Sequence, residues 1–219
     1  MKTIFGLPNT TAKKMAFVLL WIFILSIACK KEQSSVYTSP NPSPTPSPAP
    51  ASGDPLSIFT NQKPTGLTEN DKKGGIEVGL KFQSTVAGYA DGIKFYKSTG
   101  DSGTLSAQLY SRTGTLLASK AFANETDSGW QTVLFDAAIP IAANTTYIAA
   151  YYNSLGNYIL TAYGLKTAVT NGPLTALADS TTDGFNGIFK YTNAPDLPDS
   201  GYLASNYWVD IIFEKAGGN

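Results

Sequence analysis

From Leu56 to Glu214 the sequence alternates short runs rich in Val, Ile, Thr, Tyr and Phe with clusters of Gly, Asn, Asp and Ser. That texture constrains the fold more than any other feature, because no window sustains apolar residues at helical spacing over three turns. "GIEVGLKF" (75–82) places Ile76, Val78, Leu80 and Phe82 on one face, and "GIKFYK" (92–97) does the same with Ile93 and Phe95. "TLSAQLYSRTGTLLASKAF" (104–122) reads as a hairpin turning at "RTG" (112–114). "WQTVLFD" (130–136), "TYIAAYY" (146–152), "NYILTAY" (157–163), "GIFKY" (187–191) and "NYWVDIIFE" (206–214) continue the series. With "LSIFT" (56–60) they make about ten strands. "GPLTALAD" (172–179) is expected to form at most one turn of helix. Strands with one apolar and one polar face belong to antiparallel sheets. The predicted class is therefore all-β: an antiparallel β-sandwich, jelly-roll-like, over residues 56–215. A domain of this size buries roughly 70% of its unfolded surface and needs no disulfide.

Upstream, "MAFVLLWIFILSIA" (15–28) is an apolar run of 14 residues preceded by Lys13 and Lys14. It has the length of a signal h-region and falls short of the roughly 18 residues a membrane span requires, so residues 1–28 read as a signal peptide. The chain's single cysteine, Cys29, closes the run and is followed by Lys30, Lys31 and Glu32. "LSIAC" resembles a bacterial lipobox, with Leu25 one place further from the cysteine than usual and Ser26 in the leucine's position. A loose box followed by "CKKE" is similar to those of Bacteroidetes-type lipoproteins. Lipid at Cys29 makes the membrane a partner: at about 0.8 kcal/mol per buried CH₂, several acyl chains anchor stably where one does not. The implied address is the bacterial outer membrane, facing the periplasm or the cell surface. Residues 29–55 then form a linker. "SSVYTSPNPSPTPSPAPASGDP" (34–55) holds seven of the chain's 13 prolines, a composition that favours extended polyproline II over a packed core.

Exclusions are firm. There is no histidine, which removes Ser-His-Asp triads, Cys-His dyads and histidine metal sites. "KSTGDSGTL" (97–105) is Gly-rich but lies between strands with no helix to follow, so it reads as a hairpin loop rather than a phosphate cradle. Removing Lys2, Lys13 and Lys14 with the signal segment leaves 13 positive residues against 16 negative. A weakly acidic chain without a basic cluster is no partner for nucleic acid. The enzymatic route left open is the carboxylate pair of a glycoside hydrolase. Most acidic residues stand in turns (Asp71, Asp101, Asp127, Asp179, Asp183, Asp196 and Asp199), where they read as solvated. Glu77, Asp91 and Asp136 fall at or within strands without an evident partner. No catalytic residue is assigned, and binding is expected rather than catalysis.

Asp210 stands among Trp208, Val209 and Ile211. With Val209, Ile211 and Phe213 facing inward, it would share the other face with Trp208, Ile212 and Glu214. A carboxylate in apolar surroundings wants a partner. A neighbouring loop's backbone or a lysine satisfies it, or it helps hold a structural calcium, which takes six to eight oxygen ligands, or it touches a ligand. Aromatic rings on a wet sheet face are the usual means of stacking on sugars. Trp130, Tyr152, Tyr158, Tyr163, Tyr207 and Trp208 are the candidates, although a sandwich with this many rings must bury most of them.

Several phrases also carry a resemblance. "GLKF", "DGIKFYKS", "ETDSGWQTVLF" (125–135), "IPIAANTTYIAAYYNSLGNY", "NGPLTAL", "NGIFKY" and "SNYWVDIIF" (205–213) occur in that order. Together they resemble the bacterial family known as domain of unknown function 4082, from about Leu56 to Phe213. The resemblance implies a jelly-roll module of an exported protein, of a kind often appended to adhesin-like repeats or carbohydrate-active enzymes. "AAYYN" (149–153) departs from the histidine-containing phrase of many relatives, so Tyr152 or Asn153 would have to serve if that position touches ligand. Three functions stay open: binding of carbohydrate or another extracellular ligand, a structural role docked to another envelope protein, and, behind these, glycoside hydrolysis.

Overall fold

Alternation in "GIEVGLKF" is realised as a strand whose inward residues Ile76, Val78, Leu80 and Phe82 are all fully buried. The structure, a computed structural model, describes residues 54–65, 67–69, 71, 73–180 and 183–217. The expected signal peptide, Cys29 and the proline-rich linker lie outside the described residues. In chain order the strands are β1 (Leu67–Glu69), β2 (Ile76–Ser84), β3 (Gly88–Lys97), β4 (Leu105–Ser111), β5 (Leu116–Ala121), β6 (Gly129–Ile141) and β7 (Tyr147–Asn153). They continue as β8 (Tyr158–Leu160), β9 (Val169–Asn171), β10 (Leu174–Ala176), β11 (Ile188–Tyr191), β12 (Ser200–Gly201) and β13 (Val209–Lys215). Among the described residues there is no helix.

A large sheet runs β12-β11-β2-β7-β4-β5, with β10 also paired to β2 and β9 to β10. A small sheet runs β13-β3-β6, and β1 pairs with β8 as a separate ribbon. All these pairings are antiparallel. The chain passes between the two main sheets at β2–β3, β3–β4, β5–β6, β6–β7 and β12–β13, a winding of the jelly-roll kind. The expected all-β sandwich is what forms. Its core lies between the sheets: Val78, Leu109 and Tyr151 from the large one meet Ile93, Phe95, Ile211 and Phe213 from the small one. Phe95 stacks on Tyr151 with ring centroids 4.2 Å apart. Each such side chain contributes on the order of 2 kcal/mol by leaving water.

The expected hairpin is β4–β5, closed where the amide of Gly114 donates to the Ser111 carbonyl at 3.0 Å. Gly114 takes φ 93° there, a conformation that favours a residue without a β-carbon. Three local expectations fail. "LSIFT" is not a strand: it contributes one bridge, Leu56 to Phe213, and then turns, with Ile58 and Phe59 both buried in succession. "GPLTALAD" is not helical, because Leu174–Ala176 pair as β10 against β2 and β9. The outer face of the large sheet is not wet. Glu77, Gln108, Tyr110, Ile148, Ala150 and Tyr152 are buried on it, in part because the loop after β11 lies across the sheet. Leu197 of that loop packs against Tyr110, Ile148, Ala150 and Ile188.

Candidate functional site

Period-two geometry brings Tyr158 and Leu160 of β8 to one side of the ribbon, and Phe189 and Tyr191 of β11 to one side of the large sheet. Tyr207, just before β13, joins them. It meets Tyr158 edge-on at 5.7 Å and Phe189 at 6.3 Å, while Phe189 and Tyr191 meet at 5.5 Å. These rings form the floor of a cleft of about 570 Å³. Its margin carries Glu69, Asp71, Lys73, Tyr202 and Leu203. Tyr207 and Tyr158 are buried, whereas Tyr202 is 54% exposed at the rim. Asp71 accepts hydrogen bonds from the Tyr158 hydroxyl at 3.2 Å and from the Tyr191 hydroxyl. The ammonium of Lys73 stands 4.5 Å above the Tyr191 ring.

The rim is held in sparsely populated backbone. Leu203, Ala204 and Trp208 have φ of 48°, 45° and 55°, and the facing Tyr163 has φ 61°. Left-handed conformations at such residues cost roughly 1–2 kcal/mol each and persist only when the surroundings dictate them. The dictating contacts are clear. Tyr163 N donates to Leu203 O at 2.8 Å and Leu165 N to Ala204 O at 2.8 Å. Trp208 N donates to Asn206 Oδ1 at 2.8 Å, and its indole to Thr161 Oγ1 at 2.9 Å. A β-carbon at Gly187 would lie 1.6 Å from the Ser205 carbonyl oxygen, so glycine lets this segment press against the start of β11. Burial, first, and the Asp71 carboxylate, second, push the Tyr158 hydroxyl above the usual tyrosine range. Burial does the same to Tyr207. Both therefore stay protonated donors at neutral pH. The arrangement offers flat ring faces, hydroxyl donors and carboxylate acceptors around one opening, which suits a ligand with apolar faces and many hydroxyls.

Of the residues expected to touch ligand, Tyr207 and Tyr158 line this cleft. The others lie elsewhere. Trp130 and Trp208 form one aromatic cluster with Phe59, at centroid distances of 6.5 Å and 5.5 Å from it, and Trp130 donates its indole N–H to Gln62 O at 2.9 Å. They clasp the 56–62 segment. Tyr152 is buried on the outer face of the large sheet next to Gly75. Asn153 is fully buried, donating to Asp101 Oδ1 at 2.8 Å and accepting from Leu155 N at 2.8 Å, and so shapes the turn after β7. Tyr163 is 59% exposed and reaches the rim only through its backbone bond to Leu203.

Asp210 is taken up by nitrogen donors. Its Oδ1 accepts from Ile58 N and Ile211 N at 2.8 Å each, and its Oδ2 from Phe59 N at 2.8 Å, with Lys94 Nζ 3.4 Å away. These are the loop and lysine partners that the sequence offered as one of three explanations. A calcium ion there would find both oxygens already engaged by these donors, and among the described residues no cluster of three or more His, Cys, Asp or Glu side chains occurs. Asp71 is exposed, as expected of a turn residue, and also stands at the cleft margin. Tyr191, Tyr202 and Phe189 were not singled out beforehand. The signal that marks them is the period-two pair in "IFKY" and the tyrosine inside the long loop "NAPDLPDSGY".

Fold and cleft together define a β-sandwich module with an aromatic cleft at the β1–β8 ribbon. The family model described as domain of unknown function (DUF4082) matches residues 61–209, more than half of the 219-residue chain. The chain belongs to that family. A search of the curated proteins finds no match.

Proposed function

We propose that this chain is a cell-envelope lipoprotein whose β-sandwich binds carbohydrate, without catalysis, in the cleft between β8, β11 and the 202–207 segment. The observation that carries the reading is the set of tyrosine rings around Asp71, with Tyr202 open to solvent at the rim. Ring faces pack on the C–H faces of a sugar while Asp71, Glu69 and the tyrosine hydroxyls take its hydroxyl groups. A glycan array probed with the full chain in detergent tests it. Binding to one glycan class is expected, falling about tenfold in Tyr202→Ala, the loss of roughly one exposed stacking contact. A blank array from folded protein would overturn the reading.

The lipoprotein half of the proposal rests on the "LSIAC" sequence followed by a proline-rich segment. Replacing Cys29 by Ala is expected to move the protein from the membrane to the soluble fraction on cell fractionation. Retention in the membrane would show another mode of anchorage.

A second reading, docking to another envelope protein, is favoured by one observation. β5 and β6 are open sheet edges, and they expose Leu116 and Leu134 at 52% and 58%. Open edges offer unpaired backbone groups to a partner strand. A fixed partner co-purifying with the chain, lost on Leu134→Lys, would support it.

A further inference from the structure

The same chemical device occurs twice in this molecule, once complete and once open. In the interior, Lys94 holds its ammonium 4.4 Å over the Trp130 ring and 3.4 Å from the Asp210 carboxylate. Ser57 Oγ at 2.8 Å and Thr60 O at 2.9 Å complete its hydrogen bonds. An aromatic face beside a carboxylate is thus a site this fold uses for an ammonium ion. The cleft presents the same pair of elements in Tyr191 and Asp71, joined by the bond between the tyrosine hydroxyl and the carboxylate. Here the ammonium above the ring belongs to Lys73, an exposed side chain.

The cleft's charges agree with that parallel. Glu69 and Asp71 supply two carboxylates and Lys73 one ammonium, a net negative margin around rings that present their negative faces. The negative field shows in Tyr158, whose hydroxyl is pushed up by burial and further by Asp71 and Glu69. A neutral polyol gains nothing from this field; a cation does.

We propose that the ligand of the cleft carries an ammonium group, a free amino sugar within the carbohydrate class, which takes the place of the Lys73 ammonium over Tyr191 and beside Asp71. This deepens the carbohydrate reading and rests on it. Recognition then combines ring stacking with one charge-assisted contact, and Lys73 acts as a built-in competitor that leaves when ligand enters. Acetylating the amine removes the charge and with it the selectivity.

Calorimetric titration of the full chain in detergent with three tetrasaccharides tests this: the tetramer of glucosamine, its N-acetylated counterpart, and cellotetraose. The glucosamine tetramer is expected to bind at least tenfold more tightly than the other two, and to weaken as salt is raised. Asp71→Asn keeps an acceptor for the tyrosine hydroxyls and is expected to bring it down to the level of cellotetraose. Lys73→Met is expected to tighten it severalfold by removing the competitor. Equal binding of all three tetramers overturns the ammonium assignment and leaves carbohydrate binding standing. Weaker binding in Lys73→Met also overturns it, since lysine would then be a contact for an anionic or neutral group. No binding of any tetramer, with circular dichroism showing a folded sheet protein, overturns the amino-sugar assignment, while the carbohydrate reading is decided by the glycan array.

Discussion

Asp210→Ala is expected to remove roughly 3–5 kcal/mol of folding stability, the scale set by stripping one partner from a buried ion pair. Three backbone amides, Ile58, Phe59 and Ile211, lose their acceptor together, and Lys94 is left as a buried ammonium. Burial pulls Lys94 below the usual lysine range even with Asp210 present. Without the carboxylate only Ser57 Oγ, Thr60 O and the Trp130 ring still favour the charged form, and none of them carries a full negative charge. Single domains are stable by about 5–15 kcal/mol, so the loss takes a large share. Denaturant titration checks the size, and Lys94→Met in the same background checks the cause. The double variant is expected to recover at least about 1 kcal/mol over the single, because the orphaned charge goes with the lysine. Amide exchange at Ile58 and Phe59 should accelerate ahead of the sheet amides. A loss under about 1 kcal/mol would mean that the 56–62 segment is held by its aromatic contacts alone.

The second large effect is a pH dependence of opposite sign to ordinary acid denaturation. Glu77 is fully buried beneath the 192–199 loop, accepting from Tyr110 Oη at 3.1 Å and from Asp196 N at 2.9 Å. Burial dominates over these bonds and raises its pKa from 4.5 to about 7. A carboxyl with a raised folded-state pKa stabilises the fold fully below its unfolded value, and that contribution is lost as pH rises through the folded value. Stability from Glu77 is therefore whole below about pH 4.5 and gone above about pH 7. The difference is on the order of 3 kcal/mol, from 1.36 kcal/mol per pKa unit. Glu77→Gln isolates it. The amide oxygen accepts from Asp196 N while the amide nitrogen donates to the Tyr110 oxygen, as the protonated acid does. Urea titrations at pH 5 and pH 8 should show the variant gaining on the parent protein at the higher pH. Parallel pH profiles would show that Glu77 is already ionised at pH 5.

Much of this architecture is legible in the sequence where burial follows a local period. Ile76, Val78, Leu80 and Phe82 alternate because each second residue of β2 faces the small sheet, and any reader of the pattern finds them. Legibility ends where a distant group decides. "LSIFT" has the composition of a strand, but its amides at Ile58 and Phe59 are bound by a carboxylate 152 and 151 positions away, and that contact bends the chain. Trp208 and Asp210 look like neighbours on one strand face, yet the φ of 55° at Trp208 interrupts the alternation just before β13 begins. The cleft was the least readable part. Its residues come from β1 with the loop after it, β8, β11 and the 202–207 segment, and no spacing within any one of them announces the other three. Asp71 in particular has the setting of any turn carboxylate until Tyr158 and Tyr191 close on it.

The left-handed residues Leu203, Ala204 and Trp208 have a consequence for the proposed binding of a ligand. Their conformational cost falls on the folding reaction, since the hydrogen bonds that impose it are all internal to the chain. A ligand arriving later meets Tyr202 and Tyr207 on a backbone already set, so little ordering entropy is charged against association. Affinity in such a receptor is tuned through the lifetime of the complex rather than the rate of encounter. On the proposed reading, a more relaxed 203–208 segment would make a sturdier protein and a poorer receptor, because the strain now sits in the scaffold and outside the binding step.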